Sequence, residues 1–295
     1  VSAVTRWFDR YRGLAVGITQ GGIGTGTLVL SPLAALLIVR YGWQATYVIL
    51  GLLTLAVLIP ASLIIRDNPA RLGLKPYGHN ESESKASSQA GRGNNYKVVA
   101  AMKTQSFWSL NLIHMSDCLC HSVVLLHLVA YLTDMGINPK TAAGIFGISG
   151  AASAAGTILS GIVVDRIGGR NALVAATLLQ AITIFLLINS QTLWVFYILA
   201  ATMGLALGGL VTPYPVLSRE FFGEKVVGTI YGIQLAFATT GMALGGLIGG
   251  YLFDYSGNYQ YAFLFSLTAG LVAVMLALGL KSPSWKGDLA LVVTD

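Results

Sequence analysis

Residues 106–133 read SFWSLNLIHMSDCLCHSVVLLHLVAYLT and carry a single formal charge, Asp117. As a helix rising 1.5 Å per residue, such a stretch exceeds the ~30 Å of hydrocarbon in a bilayer. A buried parallel strand also reads as an apolar run, but it ends after ~4–8 residues. Seven further apolar stretches of similar length follow the same rule: 13–39, 46–65, 141–164, 172–189, 193–217, 227–253 and 259–280. Of 18 Lys and Arg and 12 Asp and Glu residues, Asp117 is the one that falls well inside an apolar stretch. The chain is 55% hydrophobic and 10% charged, against ~25% charged residues in soluble domains. These features predict an all-α, polytopic helical membrane protein with eight transmembrane helices.

The basic residues predict its orientation. Alternate breaks between the stretches form two sets, and 16 of the 18 Lys and Arg residues fall in one of them. That set holds residues 1–12, 66–105, 165–171, 218–226 and the C-terminal tail, whereas the other holds only Arg40 and Lys140. The positive-inside rule then puts both ends of the chain and the 66–105 loop in the cytoplasm. The net charge of +6 is read as a topology marker, and nucleic acid is not expected as a partner. Cys118 and Cys120 are two apart on one helix and point to different faces, so they cannot bridge each other. Asn80-Glu81-Ser82 matches the glycosylation acceptor pattern but lies in the expected cytoplasmic loop, so it is expected to be unmodified.

Residues 79–97 (HNESESKASSQAGRGNNYK) are nearly free of apolar side chains. Such a segment cannot bury enough surface to offset its ordering entropy and reads as a flexible linker. Around it the chain divides into 1–65, a linker at 66–105, a helical unit at 106–281 and a tail at 282–295. A repeat explains the uneven division. Gly13, Gly17, Gly26 and Gly42 recur 215 residues later as Gly228, Gly232, Gly241 and Gly257. By this repeat, spans one and two correspond to spans seven and eight. Spans three to six lack counterparts, so the chain, which begins with Val1, is expected to be a piece of a longer protein with four more helices before it.

Gly13-x3-Gly17-x3-Gly21, Gly22-x3-Gly26 and Gly241-x3-Gly245-x3-Gly249 place small residues on helix faces, which lets backbones approach closely in lipid. GGIGTGT at 21–27 is not read as a phosphate loop, because no strand precedes it and no Lys follows it.

The third span concentrates the candidate chemistry. On a helical wheel Asn111, His114, Asp117, Cys118 and His121 occupy about a third of the circumference. A lone charge at mid-bilayer costs at least ~2.5–3.5 kcal/mol on insertion scales. Asp117 is therefore expected to face a wet cavity or a partner, and His114 and His121 are on the right face to supply one. Two readings fit: a proton and substrate site, or a static hydrogen bond between helices. No metal site is expected, since further ligands beyond Asp117 and the two histidines are not evident, and no cofactor is expected. His127, with Tyr131 and Asp134, lies towards the outer end as a candidate gate or an ordinary interfacial residue. Pro213-Tyr214-Pro215 removes two backbone donors and predicts a kink or hinge. Tyr231 and Gln234 are further candidates for cavity contacts, with plain packing as the alternative.

Two six-helix repeats with cytoplasmic termini and a cytoplasmic central loop resemble the major facilitator superfamily. Asp165-Arg166-Ile167-Gly168-Gly169-Arg170-Asn171 looks like that family's Asp-Arg-x-Gly-Arg turn. Arg6-Trp7-Phe8, Arg12-Gly13-Leu14-Ala15-Val16-Gly17-Ile18, Tyr41-Gly42-Trp43 and Gly73-Leu74-Lys75-Pro76-Tyr77-Gly78 look like its oxalate/formate antiporter and monocarboxylate transporter branch. Phe222-Gly223-Glu224 and Gly228-Thr229-Ile230-Tyr231-Gly232 add to these. The resemblance implies that the spans are family helices 5 to 12, and that Asp165 with Arg166 or Arg170 forms a conformational latch. It also implies a secondary transporter of a small solute, such as a monocarboxylate, oxalate or formate, working by alternating access with protons as a candidate coupling ion. The chain departs from the branch in having no Arg or Lys within 141–164 or 227–253 to hold an anion. A channel would call for a filter loop or charge ring, and an enzyme for a nucleophile–base pair; neither is visible. A non-transporting membrane sensor or an inactive transporter fragment would look alike in sequence.

Overall fold

The computed structural model describes residues 2–8, 10–66, 69–78, 98–223 and 225–280. The linker centre 79–97, with Asn80-Glu81-Ser82, and the tail 282–295 lie outside the described residues. A short helix α1 (Ser2–Trp7) precedes α2 (Arg12–Ile64). There follow α3 (Val98–Met102), α4 (Gln105–Asp134), α5 (Pro139–Ile167), α6 (Gly169–Ile188), α7 (Leu193–Val211), α8 (Pro213–Phe222), α9 (Val227–Ser256) and α10 (Gln260–Gly279). Among the described residues there is no strand, only an isolated bridge between Phe8 and Tyr77.

At 53 residues α2 would run far beyond a bilayer if straight. It does not run straight, because Gly42 takes φ 78° and ψ 166°, a conformation open in practice to glycine alone. The two arms on either side are the expected first and second spans. Gly257, 215 positions on, also has positive φ (72°) and closes α9. Seven helices of the described residues are long and apolar enough to cross a membrane, from Arg40–Ile64 to Gln260–Gly279. The arm before Arg40 is helical, but many of its side chains lie outside the described residues. Large apolar side chains such as Leu247 (71% exposed) and Ile64 (77%) cover the outer faces, where lipid rather than water is the fitting solvent.

The caps follow local sequence. Thr104 accepts the Phe107 N–H (3.3 Å) to start α4, and Asn138 accepts the Lys140 N–H (2.9 Å) with Pro139 in the first turn of α5. Gly168, with φ 82°, is the sole residue between α5 and α6. Where Pro213 and Pro215 predict a kink, Thr212 parts α7 from α8 but keeps helical dihedrals (φ −78°, ψ −39°). Thr212, at the break, is tied to α5 through the Ser160 hydroxyl, which donates to Thr212 Oγ1 at 2.6 Å.

Glycines set which helices touch. Gly241, Gly245 and Gly249 of α9 lie against α4, where a Cβ would meet the Met115 carbonyl, the Leu119 carbonyl (2.5 Å) and the His127 ring (2.8 Å). Gly204 and Gly208 of α7 approach the Ser149 and Ser153 carbonyls of α5 in the same way. Gly13 and Gly17 of α2 lie against Gly161 and Thr157 of α5. Gly22 departs from the expected packing stripe: a Cβ there would meet open space.

The flanks of the 66–105 linker are more ordered than their composition suggests. Residues Pro69–Leu72 form a 3₁₀ turn. Tyr77 then folds back on the segment before α2, its N–H donating to the Trp7 carbonyl (2.8 Å) and its carbonyl accepting from Arg10 N–H (3.2 Å). Trp7 Nε1 donates to the Arg66 carbonyl (2.8 Å).

Candidate solute and proton site

Asp117 sits on the inner face of α4 and is 1% exposed. Its partners come from two other helices. Gln180 Nε2 of α6 donates to Oδ1 at 2.9 Å, and the Tyr214 hydroxyl of α8 donates to Oδ2 at 3.2 Å. His121 Nδ1 stays 3.9 Å from Oδ1, beyond hydrogen-bond length. The partner expected of His114 is also different: its ring stacks on Tyr214, centroids 3.7 Å apart and planes 12° from parallel. The histidines therefore flank the carboxylate rather than bond to it, and an amide and a phenol hold it.

This cluster is rich in buried polar atoms without a partner. Asn111 uses Nδ2 on the Phe107 carbonyl of its own helix (2.7 Å), which leaves Oδ1 unpaired. His114 Nδ1, His121 Nδ1 and Gln180 Oε1 are also buried and unpaired. An unpaired buried polar atom costs ~1–3 kcal/mol, so these atoms call for a partner such as water, an ion or a polar solute.

The other candidates spread out. Tyr231 of α9 is paired with the Gln20 side chain of α2 and lies near Cys118 of α4. Gln234 accepts the Ser218 hydroxyl (2.9 Å) and donates to the Leu110 carbonyl (3.4 Å), tying α9 to α8 and α4. His127 faces α9, with Nε2 3.3 Å from the Gly246 carbonyl and its ring against Tyr259. Pro213 and Pro215 are buried at the α7–α8 break, and Tyr214 belongs to the Asp117 cluster.

Asp165 ends up in a different pairing from the one the turn suggests. Its Oδ1 accepts the Gly13 N–H (2.7 Å) and its Oδ2 accepts the Leu14 N–H (2.9 Å). Tyr11, the residue before α2, offers no side-chain cap, so Asp165 supplies that cap from another helix. The carboxylate also meets the positive end of the α2 dipole. Arg170 turns the other way and donates to the Leu278 carbonyl of α10 (2.7 Å).

Gln180 and Gln20 were not singled out by sequence reasoning. Gln180 carried a readable signal, as the one amide in 172–188, where the other polar side chains are Thr177 and Thr183. Gln20 carried the same signal, as the one amide in 13–39, but its partner depends on how α2 meets α9.

Apolar outer faces, glycine-lined helix contacts and a single buried carboxylate at mid-helix define an integral, multi-pass α-helical membrane protein. The sequence model of the Major Facilitator Superfamily matches residues 1–188 and 110–290, and the chain belongs to that family. It is 26% identical to the uncharacterized MFS-type transporter YcxA of Bacillus subtilis over 264 residues, covering 87% of this chain and 61% of that protein. It is 25% identical to monocarboxylate transporter 12 of Mus musculus, covering 90% of this chain and 58% of the relative. The chain thus spans about three fifths of these relatives' length. The structure of the proton:xylose symporter XylE bound to 6-bromo-6-deoxy-D-glucose has the same fold, with a TM-score of 0.70 at 16% identity over 99% of this chain and 70% of that one.

Proposed function

We propose that this chain is part of a secondary active transporter for a small solute, working by alternating access. Residues 1–65 form one moving part and 106–281 the other, with 66–105 as the cytoplasmic linker and 282–295 as a tail. The observation that carries this reading is the Asp165 cap on α2. Two hydrogen bonds and a glycine-on-glycine contact join the two parts at one end, and both can separate without unfolding either helix. Asp165 is the latch in this reading, Arg170 and Arg166 secure the same turn, and both ends of the chain and the linker lie in the cytoplasm.

Asn111, His114, Asp117 and His121, with Tyr231 from α9, bind the solute and a coupled proton; Gln234 buttresses them from behind. The solute class is a small organic anion such as a monocarboxylate, oxalate or formate, which the relatives named as monocarboxylate transporters support. With no Arg or Lys inside 141–164 or 227–253, such an anion is met by imidazole, phenol and amide groups, and co-entry of a proton neutralises it. His127 and the Pro213–Pro215 break are the gate and hinge.

Uptake of labelled lactate, oxalate and formate into proteoliposomes, under an imposed proton gradient, tests this reading. Saturable uptake that Asp117→Asn makes independent of pH is expected. Gradient-driven uptake with an unchanged pH profile in Asp117→Asn would remove Asp117 from the proton path.

A further inference from the structure

The face of α4 that holds Asp117 also holds Cys118 and His121. An Asp117 carboxylate oxygen, Cys118 Sγ and a His121 ring nitrogen all lie within 4.8 Å of one another. Oxygen, sulfur and nitrogen donors in one place are the ligand set of a thiophilic divalent cation. The sequence expectation of no metal site counted Asp117 with the two histidines and left out the thiol between them.

We propose that Asp117, Cys118 and His121 form a binding site for a borderline-soft divalent cation of the zinc and cadmium class.

Four observations support it. His121 Nδ1 is buried and has no hydrogen-bond partner, so a lone pair is available. It lies 3.9 Å from Asp117 Oδ1, and donor atoms around one tetrahedral ion are roughly 3.5 Å apart at zinc's bond lengths. Small side-chain rotations on a single helix therefore close the set. Asp117 is already oriented by Gln180 and Tyr214, the outer support that metal-binding carboxylates need. Charge also balances: one dication, one carboxylate and one thiolate sum to zero, which suits a site inside a membrane. On binding, the Cys118 S–H bond breaks, the sulfur takes the metal and the proton leaves to buffer. A fourth position stays open for water or solute.

Cys120 provides an internal control. It lies two residues away but points to α10, where the Ser266 hydroxyl sits 3.7 Å from its sulfur. The site shares Asp117 and His121 with the proposed proton path, but it does not depend on that reading, because it can be measured without transport.

The test is titration of the purified full chain with Cd²⁺, read by the near-ultraviolet sulfur-to-cadmium charge-transfer band. The expected result is one bound ion per chain with a single thiolate signal, kept in Cys120→Ser and lost in Cys118→Ser and His121→Ala. Gln180→Leu, which keeps all three ligands but removes the hydrogen bond that orients Asp117 Oδ1, is expected to weaken binding about 10–100-fold. Folding is controlled by alkylating the wild type with and without Cd²⁺, because both thiols are buried, and locating by peptide mass the thiol whose labelling the ion slows; protection is this Cd²⁺-dependent difference. Protection at Cys118 supports the site. Protection at Cys120, a signal that survives Cys118→Ser in folded protein, or no band in the wild type would overturn it.

Discussion

Asp165 and Gly13 are 152 residues apart in the chain, and the Gly13 N–H reaches Asp165 Oδ1 across 2.7 Å. With Leu14 N–H on Oδ2, a single carboxylate at the end of α5 caps α2. A helix start leaves up to four N–H groups without intrahelical partners. A cap provided by a different helix couples the stability of that start to the closeness of the two helices.

Asp165→Asn removes the charge and one of two good acceptors. A lost cap costs ~1 kcal/mol, and the dipole contribution adds ~0.3–1 kcal/mol. Amide exchange at Gly13 and Leu14 is expected to speed up about fivefold or more, with exchange in α10 unchanged. Equal protection in the variant would mean that the cap does not hold the start of α2.

Gly161→Val tests the same contact by volume. A Cβ at 161 would meet the Gly13 carbonyl and lie 2.8 Å from the Leu14 Cα, and backbone cannot yield as a side-chain tip can. Overpacking of ~1–3 kcal/mol is expected, measured as a lower unfolding temperature in detergent. Gly22→Val, where a Cβ meets nothing within 4 Å, is the matched control and is expected to be near neutral.

The Asp117 cluster is open to a double-mutant cycle. Gln180→Leu leaves the buried Asp117 Oδ1 without its donor at 2.9 Å and is expected to destabilise by ~1–3 kcal/mol. In an Asp117→Leu background the same change is expected to be milder, since no carboxylate remains to be satisfied. Equal effects in both backgrounds, measured by thermal unfolding, would show that the pair is not coupled.

Gly42 separates backbone strain from packing. A Cβ there would meet nothing within 4 Å, yet φ is 78° with ψ 166°. Gly42→Ala is expected to destabilise by ~1–3 kcal/mol through strain alone. Gly257→Ala, at φ 72° and ψ 8°, is in the milder left-handed region and is expected to lose about 1–2 kcal/mol.

Spans were readable because charge marks their ends: 106–133 became Gln105–Asp134, and 141–164 became Pro139–Ile167. Their neighbours were not readable, since every face is apolar and the contacts are chosen by glycines whose partners lie far away in the chain. Asp117 stood out because a lone charge in a membrane span needs compensation. Which groups compensate it depended on how α4 meets α6 and α8, so the nearby histidines were favoured over Gln180 and Tyr214. Asp165 was singled out through its turn, but the partner it takes was not legible. Backbone N–H groups leave no mark in a sequence, whereas the neighbouring arginines do.

The most direct test of alternating access across the α2–α5 contact is a distance distribution between spin labels at exposed Tyr11 (49%) and Ile167 (47%). It is recorded in proteoliposomes under the conditions of the flux assay. Two populations are predicted, one short as in the capped arrangement and one longer, with solute and pH changing their ratio and Asp165→Asn enriching the longer. A single short distance that persists while solute crosses the membrane would contradict the account.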